Sequence, residues 1–336
     1  MTLPTSTRAL ASTRALPVTD PEAFVEVDLD VPPLRPRDLL VEVRAVSVNP
    51  VDVKRRAGIA AGGEPTVLGY DAAGVVVAVG PEVEHHAVGD AVFYAGDVTR
   101  RGSNAEHHAV DERIVGTKPA TLSDAEAAAL PLTAITAWET LFEKFRLTRE
   151  STGTLLVVGG ASGVGSILIQ LAKRLTSLTV VATGAREDSR ALATRMGADA
   201  VIDRDDLAAS VLGVAPGGTD HVFTAHPSGT IEALAEVAKP FSQITSINAE
   251  PGLDLSPLFS KSITWHYELM FTRSLYGTAD LGEQRLLLDR VSALLDDGAL
   301  VTTATTVLEG FTVENLREAH RMVETGQMIG KVVVTR

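Results

Sequence analysis

The chain has 336 residues, 45% hydrophobic and 22% charged, with no cysteine and a formal net charge of −13. That length allows two domains, each with its own core. The missing cysteines exclude disulfides, thiol catalysis and thiolate metal sites, and the acidic balance argues against a nucleic-acid or anionic-membrane surface. No stretch approaches the ~18 uninterrupted apolar residues of a membrane span. The N-terminus carries no apolar signal-peptide core, so a cytoplasmic enzyme is the expectation.

In chain order, the first third reads as strands and turns. Leu39 to Val48, Gly74 to Gly80 and Asp90 to Tyr94 are strand-like, with prolines at 32, 33, 36, 50 and 65 marking loops. The repeated Thr-Arg-Ala-Leu at 7–10 and 13–16 is too short for an internal repeat. From Ser123 the pattern turns helical, with Ser123 capping the run Asp124 to Leu130. Strands and helices then alternate. Apolar strands are expected at Leu155–Val158, Thr179–Ala182, Asp199–Ile202, His221–Thr224, Ile244–Ile247 and Ile263–Tyr267, with a helix at Ile231–Lys239 among the connections. Helices at Glu283–Leu295 and Val313–Glu324 precede a last strand at Lys331–Val334. Such alternation predicts an α/β doubly wound parallel sheet.

The most informative stretch joins the first two of those strands. Leu155–Val158 runs into Gly159-Gly160-Ala161-Ser162-Gly163-Val164-Gly165, and Val164, Ile167, Leu168, Leu171 and Leu175 then recur at helical spacing. A glycine turn at a helix N-terminus presents backbone N–H groups and a favourable dipole to a pyrophosphate. Ser162 stands at the middle glycine position of Gly-x-Gly-x-x-Gly, so the assignment rests on strand, turn, helix and second strand together. NAD sites commonly place a carboxylate at the tip of the second strand. Here the tip reads Thr183-Gly184-Ala185-Arg186, a hydroxyl and then a guanidinium suited to a 2′-phosphate. NADPH is the expected coenzyme, held by Gly160, Ala161, Ser162, Gly163, Val164, Gly165, Thr183 and Arg186. A helix-start role is the plainer reading of Arg186.

The chain resembles the medium-chain dehydrogenase/reductase superfamily along nearly its whole length. It is most similar to the zinc-type alcohol dehydrogenase-like branch, relatives of quinone oxidoreductases and zeta-crystallin. The residues that carry this are Ser47–Lys54, Leu68–Gly74, Gly89–Val92, Gly102–Glu106, Leu130–Thr133, Gly163–Ala172 and the ending Gly330–Val333. The resemblance implies a GroES-like β-barrel catalytic domain (1–133 and 275–336) and a Rossmann NADPH-binding domain (134–274), with the active cleft at their junction and a homodimer formed at the sheet edge. Trp265, His266 and Phe271 would line the cleft or that edge. Further coenzyme contacts implied are Thr136 near the nicotinamide ribose, Lys331 near the phosphates, and Ala225, His226 and Asn248 near the nicotinamide end.

Zinc-dependent relatives hold their catalytic metal through Cys, His and Cys or Asp. The matching positions here resemble Asn49, Tyr70 and Leu132, which cannot make the usual N/S tetrahedron, and His85-His86 and His107-His108 fall in or beside polar turns. No metal is therefore expected. Without that Lewis acid, a nicotinamide beside polar groups suits quinones and α,β-unsaturated carbonyls. Asn49, Lys54 and Tyr70 are the candidate catalytic residues, with Tyr94 as a further lining residue and Asp52 expected to bond backbone. Asn49 shaping a turn, Lys54 on a solvated edge and Tyr94 in the packing are the structural alternatives. Alternative functions are an enoyl-thioester reductase, or an NADPH-binding protein of crystallin or RNA-binding type.

Overall fold

The computed structural model describes residues 4–336. Of these, residues through Leu132 together with Phe271–Arg336 form one compact unit, and Thr133–Met270 form the other. The return to the first unit comes at Phe271 rather than at 275.

The first unit is built on antiparallel pairing. Asp38–Ser47 sits in the middle of a seven-stranded sheet, flanked by Ala72–Val79 and Lys331–Thr335 and also paired with His107–Asp111. Val332, Val333 and Val334 are fully buried, which draws the C-terminal strand back onto the N-terminal one. A smaller sheet holds Val25–Asp30, Ser6–Ser12 and Thr66–Val67. Ser6–Ser12 had no strand signal in the sequence. Its Ala9, Leu10 and Ala11 are all buried, because both faces are covered. Leu10 packs into the main core, and Ala9 and Ala11 into a smaller cluster with Val67 and Ala105, which erases the alternation of an exposed strand. His107 and His108, expected at turns, stand instead on the strand His107–Asp111. His108 faces inward, between the Tyr94 hydroxyl (3.1 Å) and the Arg101 carbonyl (2.8 Å). Burial pushes its pKa down to about 4. Tyr94 is likewise fully buried.

The second unit is a six-stranded, wholly parallel sheet. Its order is Ala200–Ile202, Thr179–Thr183, Thr154–Val158, Thr219–Thr224, Ala238–Ser246, Thr264–Tyr267. This is the order of a doubly wound dinucleotide-binding sheet. Leu155, Leu156 and Val157 on the central strand are fully buried, as a strand covered on both faces requires. The helix Gly163–Leu175 follows directly from the glycine turn and buries an unbroken run from Val164 to Ala172.

His320 gives the first unit a pH liability. It is 0% exposed on the helix Val313–Glu324, its ring 4.7 Å from that of Phe24. Neither ring nitrogen has a hydrogen-bond partner among the described residues. Burial, reinforced by the Arg56 charge, depresses its pKa to about 3. The unfolded chain takes up this proton near pH 6.5 and the folded chain does not until about pH 3. Stability is therefore complete above pH 6.5 and declines as pH falls toward 3, by at most about 1.4 kcal/mol per pH unit. Urea unfolding at pH 7 and pH 5 should show His320→Leu losing about 2 kcal/mol less than the parent chain over that interval. Equal losses would contradict the assignment.

Candidate active site

In the first unit the candidate residues converge on the start of the helix Pro50–Ala57. Asn49 is its N-cap, Pro50 opens the first turn, and Asp52 closes the cap. The Asp52 carboxylate accepts from the N–H of Asn49 at 2.8 Å and of Gly69 at 3.0 Å, tying this helix to the segment that leads to Tyr70. Burial pushes the Asp52 pKa up to about 7, against the pull of those N–H groups and of Lys331.

Beneath the helix lies a buried ionic cluster. The Lys331 ammonium donates to the Val48 carbonyl (3.2 Å), to Asn49 Oδ1 and to Asp71 Oδ2 (3.1 Å). Asp71 also accepts from Asn49 Nδ2 at 2.7 Å and from the Leu132 N–H at 2.7 Å. Burial raises the Asp71 pKa, and Lys331 and Asn49 oppose that rise. This geometry corrects two expectations. Lys331 does not reach toward coenzyme phosphates. Its charge is enclosed with Asp71, because a buried ammonium requires a partner. Asn49 is not an available oxyanion donor, since its Nδ2 donates to Asp71 and to the Tyr70 carbonyl (3.4 Å) while Oδ1 accepts from Lys331. It positions the strand and helix around Tyr70. Lys54 is exposed on the same helix.

Tyr70 is 1% exposed. Phe271 packs edge-on against its ring at 5.5 Å, and the Arg55 guanidinium lies over it, 5.6 Å from its centre. Burial pushes the phenol pKa up to about 12, with Arg55 pulling it back and Asp52 and Asp97 adding to the rise. The group is thus a neutral hydrogen-bond donor at physiological pH, held beside a fixed cation. Arg55 escaped the sequence reading. It sits among basic residues ending a helix, a pattern explained by the helix dipole alone.

In the second unit the glycine turn has the geometry of a phosphate cradle. Gly159 has φ +89°, and a Cβ on Gly165 would lie 2.2 Å from the Gly159 carbonyl, so the turn closes only with glycines there. Ser162 replaces the middle glycine without loss. Its hydroxyl accepts from the Gly165 N–H at 3.0 Å and donates to the Gly159 carbonyl at 2.8 Å. The N–H groups of Gly163 and Val164 open the helix, where no intrahelical carbonyl can take them. A pyrophosphate fits this set. Gly160 and Ala161 are buried behind it, Gly160 closing onto Ala182.

Thr183, expected at the coenzyme, is buried, and its hydroxyl accepts from the Gly159 N–H at 2.9 Å. It clasps the turn to the second strand. Arg186 is the N-cap of the helix Glu187–Arg195 and is exposed. With Glu187, Asp188 and Ala191 it lines an open depression of about 530 Å³. Thr136 is buried on the helix Pro131–Trp138. Ala225 and His226 follow the end of the strand Thr219–Thr224, with His226 exposed. The Asn248 amide donates to Glu250 at 2.9 Å.

A zinc ion does not fit the first unit. Asn49 and the Leu132 N–H are both engaged with Asp71, and Tyr70 is a neutral phenol. Among the described residues no three His, Asp or Glu side chains converge as ligands.

Comparison with known proteins accords with this two-part plan. Residues 35–133 match the alcohol dehydrogenase GroES-like domain, and residues 196–334 match the zinc-binding dehydrogenase family. A zinc-type alcohol dehydrogenase-like protein of Staphylococcus aureus is 40% identical over 304 residues, covering 88% of this chain and 90% of its own length. A 2-methylene-furan-3-one reductase of Solanum lycopersicum is 33% identical over 327 residues, covering 92% and 74% respectively. A solved structure from Rhizobium etli, named among zinc-dependent alcohol dehydrogenases, superposes with a TM-score of 0.95 at 44% identity, covering 98% of both chains. The chain therefore belongs to the medium-chain dehydrogenase/reductase superfamily, among the zinc-type alcohol dehydrogenase-like proteins, and is an oxidoreductase of a family that works with a nicotinamide coenzyme.

Proposed function

We propose that the chain is an NADPH-dependent, zinc-independent reductase of conjugated acceptors, namely α,β-unsaturated carbonyls and quinones, acting as a cytoplasmic homodimer. The observation that carries this reading is Tyr70, a buried neutral phenol beside the Arg55 guanidinium, at a position unable to ligate zinc. The name of the Solanum lycopersicum relative, a reductase of a conjugated ketone, supports the acceptor class. The absence of a carboxylate at the tip of Thr179–Thr183, with Arg186 just beyond it, supports NADPH. No helix among the described residues is long and apolar enough to cross a membrane. Among the described residues the strand Thr264–Tyr267 ends its sheet without a further strand, and Tyr267 and Leu269 beside it are half exposed. An open edge of that kind favours pairing with a second copy.

When bound, the coenzyme supplies a hydride. The N–H groups of Gly163 and Val164 would hold its pyrophosphate and Arg186 its 2′-phosphate. Tyr70 Oη donates a hydrogen bond to the acceptor oxygen, and the Arg55 charge favours negative charge developing nearby. Asn49, Asp52, Asp71 and Lys331 fix the backbone on either side of Tyr70, so that its hydroxyl costs little reorganisation at the moment of reaction.

The test is coenzyme oxidation against ortho-quinones, para-quinones, 2-alkenals and simple ketones, each with NADPH and with NADH. Turnover of 2-alkenals and quinones with NADPH, with simple ketones inert, is expected. Preferential turnover of simple ketones would contradict the reading.

A further inference from the structure

We infer that Asp188 sets coenzyme selectivity by competing with a 2′-phosphate for Arg186, leaving the site tolerant of NADH. This rests on the NADPH reading above. The Arg186 Nε lies 3.3 Å from Asp188 Oδ1, and both side chains border the same open depression. A guanidinium grips phosphate best through two parallel N–H donors, and Nε belongs to one of those forks. With Asp188 on Nε, that donor is already engaged. Asp188 is also held in place, since its Oδ1 accepts from the Ser189 N–H at 2.7 Å. The arriving phosphate must therefore displace a carboxylate that the helix start keeps nearby, and meet its negative charge. The same carboxylate can accept from the ribose hydroxyls of a coenzyme lacking the phosphate, as the acidic residue of NAD sites does. One residue thus weakens NADPH and supports NADH. Glu187 borders the depression too, but the carboxylate on the Arg186 Nε is that of Asp188, so Glu187 is set to act on the site through its charge alone.

Exposed pairs of this kind are worth up to about fivefold in an equilibrium constant. Calorimetric titration of the full chain with NADP⁺ and with NAD⁺ separates the effects. Asp188→Asn keeps an oxygen for the Ser189 N–H and removes the charge. It is expected to bind NADP⁺ about threefold more tightly and NAD⁺ about threefold more weakly, with Asp188→Ser shifting selectivity the same way. Glu187→Gln should change the ratio less than twofold. An unchanged ratio in both Asp188 variants, or an equal shift in Glu187→Gln, overturns the inference. Arg186→Ala distinguishes this failure from that of the underlying reading. If Arg186→Ala leaves the NADP⁺ to NAD⁺ ratio untouched, the phosphate-pairing role itself is lost. If it removes the NADP⁺ preference while Asp188→Asn does nothing, only the competition is refuted.

Discussion

Lys331→Met is expected to destabilise the first unit by about 3–5 kcal/mol, the range for removing one partner of a buried ion pair. The ammonium and carboxylate are 5% and 0% exposed, so water cannot replace the lost partner. Asp71 would keep its bonds from Asn49 and Leu132 but face burial without a counter-charge, and burial already disfavours its ionised form. Adding Asp71→Asn to Lys331→Met removes the stranded charge. The double variant should recover part of the loss, because the two residues act as one unit. Urea unfolding at pH 7 measures both. A loss under about 1 kcal/mol for the single variant would show that the pair contributes little.

That cluster was illegible in the sequence for a physical reason. Lys331 and Asp71 are 260 positions apart, and only the antiparallel seam between the last strand and Asp38–Ser47 brings them together. A lysine opening a terminal strand carries no local sign that its ammonium is enclosed. Asn49, expected to donate to a developing oxyanion, instead engages its amide with Asp71, the Tyr70 carbonyl and Lys331. Its amide looked available because neither of its partners, Asp71 and Lys331, could be inferred from spacing. The glycine turn, by contrast, is a local device whose strand, cap and helix follow in order, and it was legible down to the substitution of Ser162. Thr183 marks the limit of that reading. Its place at the strand tip was evident, but its use as a clasp depends on a hydrogen bond across the sheet to Gly159. Ser6–Ser12 was hidden because burial on both faces erases its alternation, and the strand placement of His107-His108 because it depends on pairing with the distant Asp38–Ser47.

Tyr70→Phe should lower turnover of a 2-alkenal about a hundredfold, the scale of one positioned proton donor, and lower quinone turnover far less. The ring packing against Phe271 survives in phenylalanine, so stability should barely change while the hydroxyl is lost. The contrast between acceptors is the informative quantity. A developing enolate needs a donor at its oxygen and protonation at carbon, whereas a reduced quinone carries its charge over a ring and takes its protons from solvent. An unchanged ratio of the two turnovers would remove Tyr70 from the chemistry.

The reductase reading is tested most directly by where the hydride comes to rest. With NADPH deuterated at the transferred position and a 2-alkenal as acceptor, the account expects a saturated aldehyde carrying one deuterium on carbon 3. An allylic alcohol labelled at carbon 1 would mean that the isolated carbonyl is being reduced, and would contradict it.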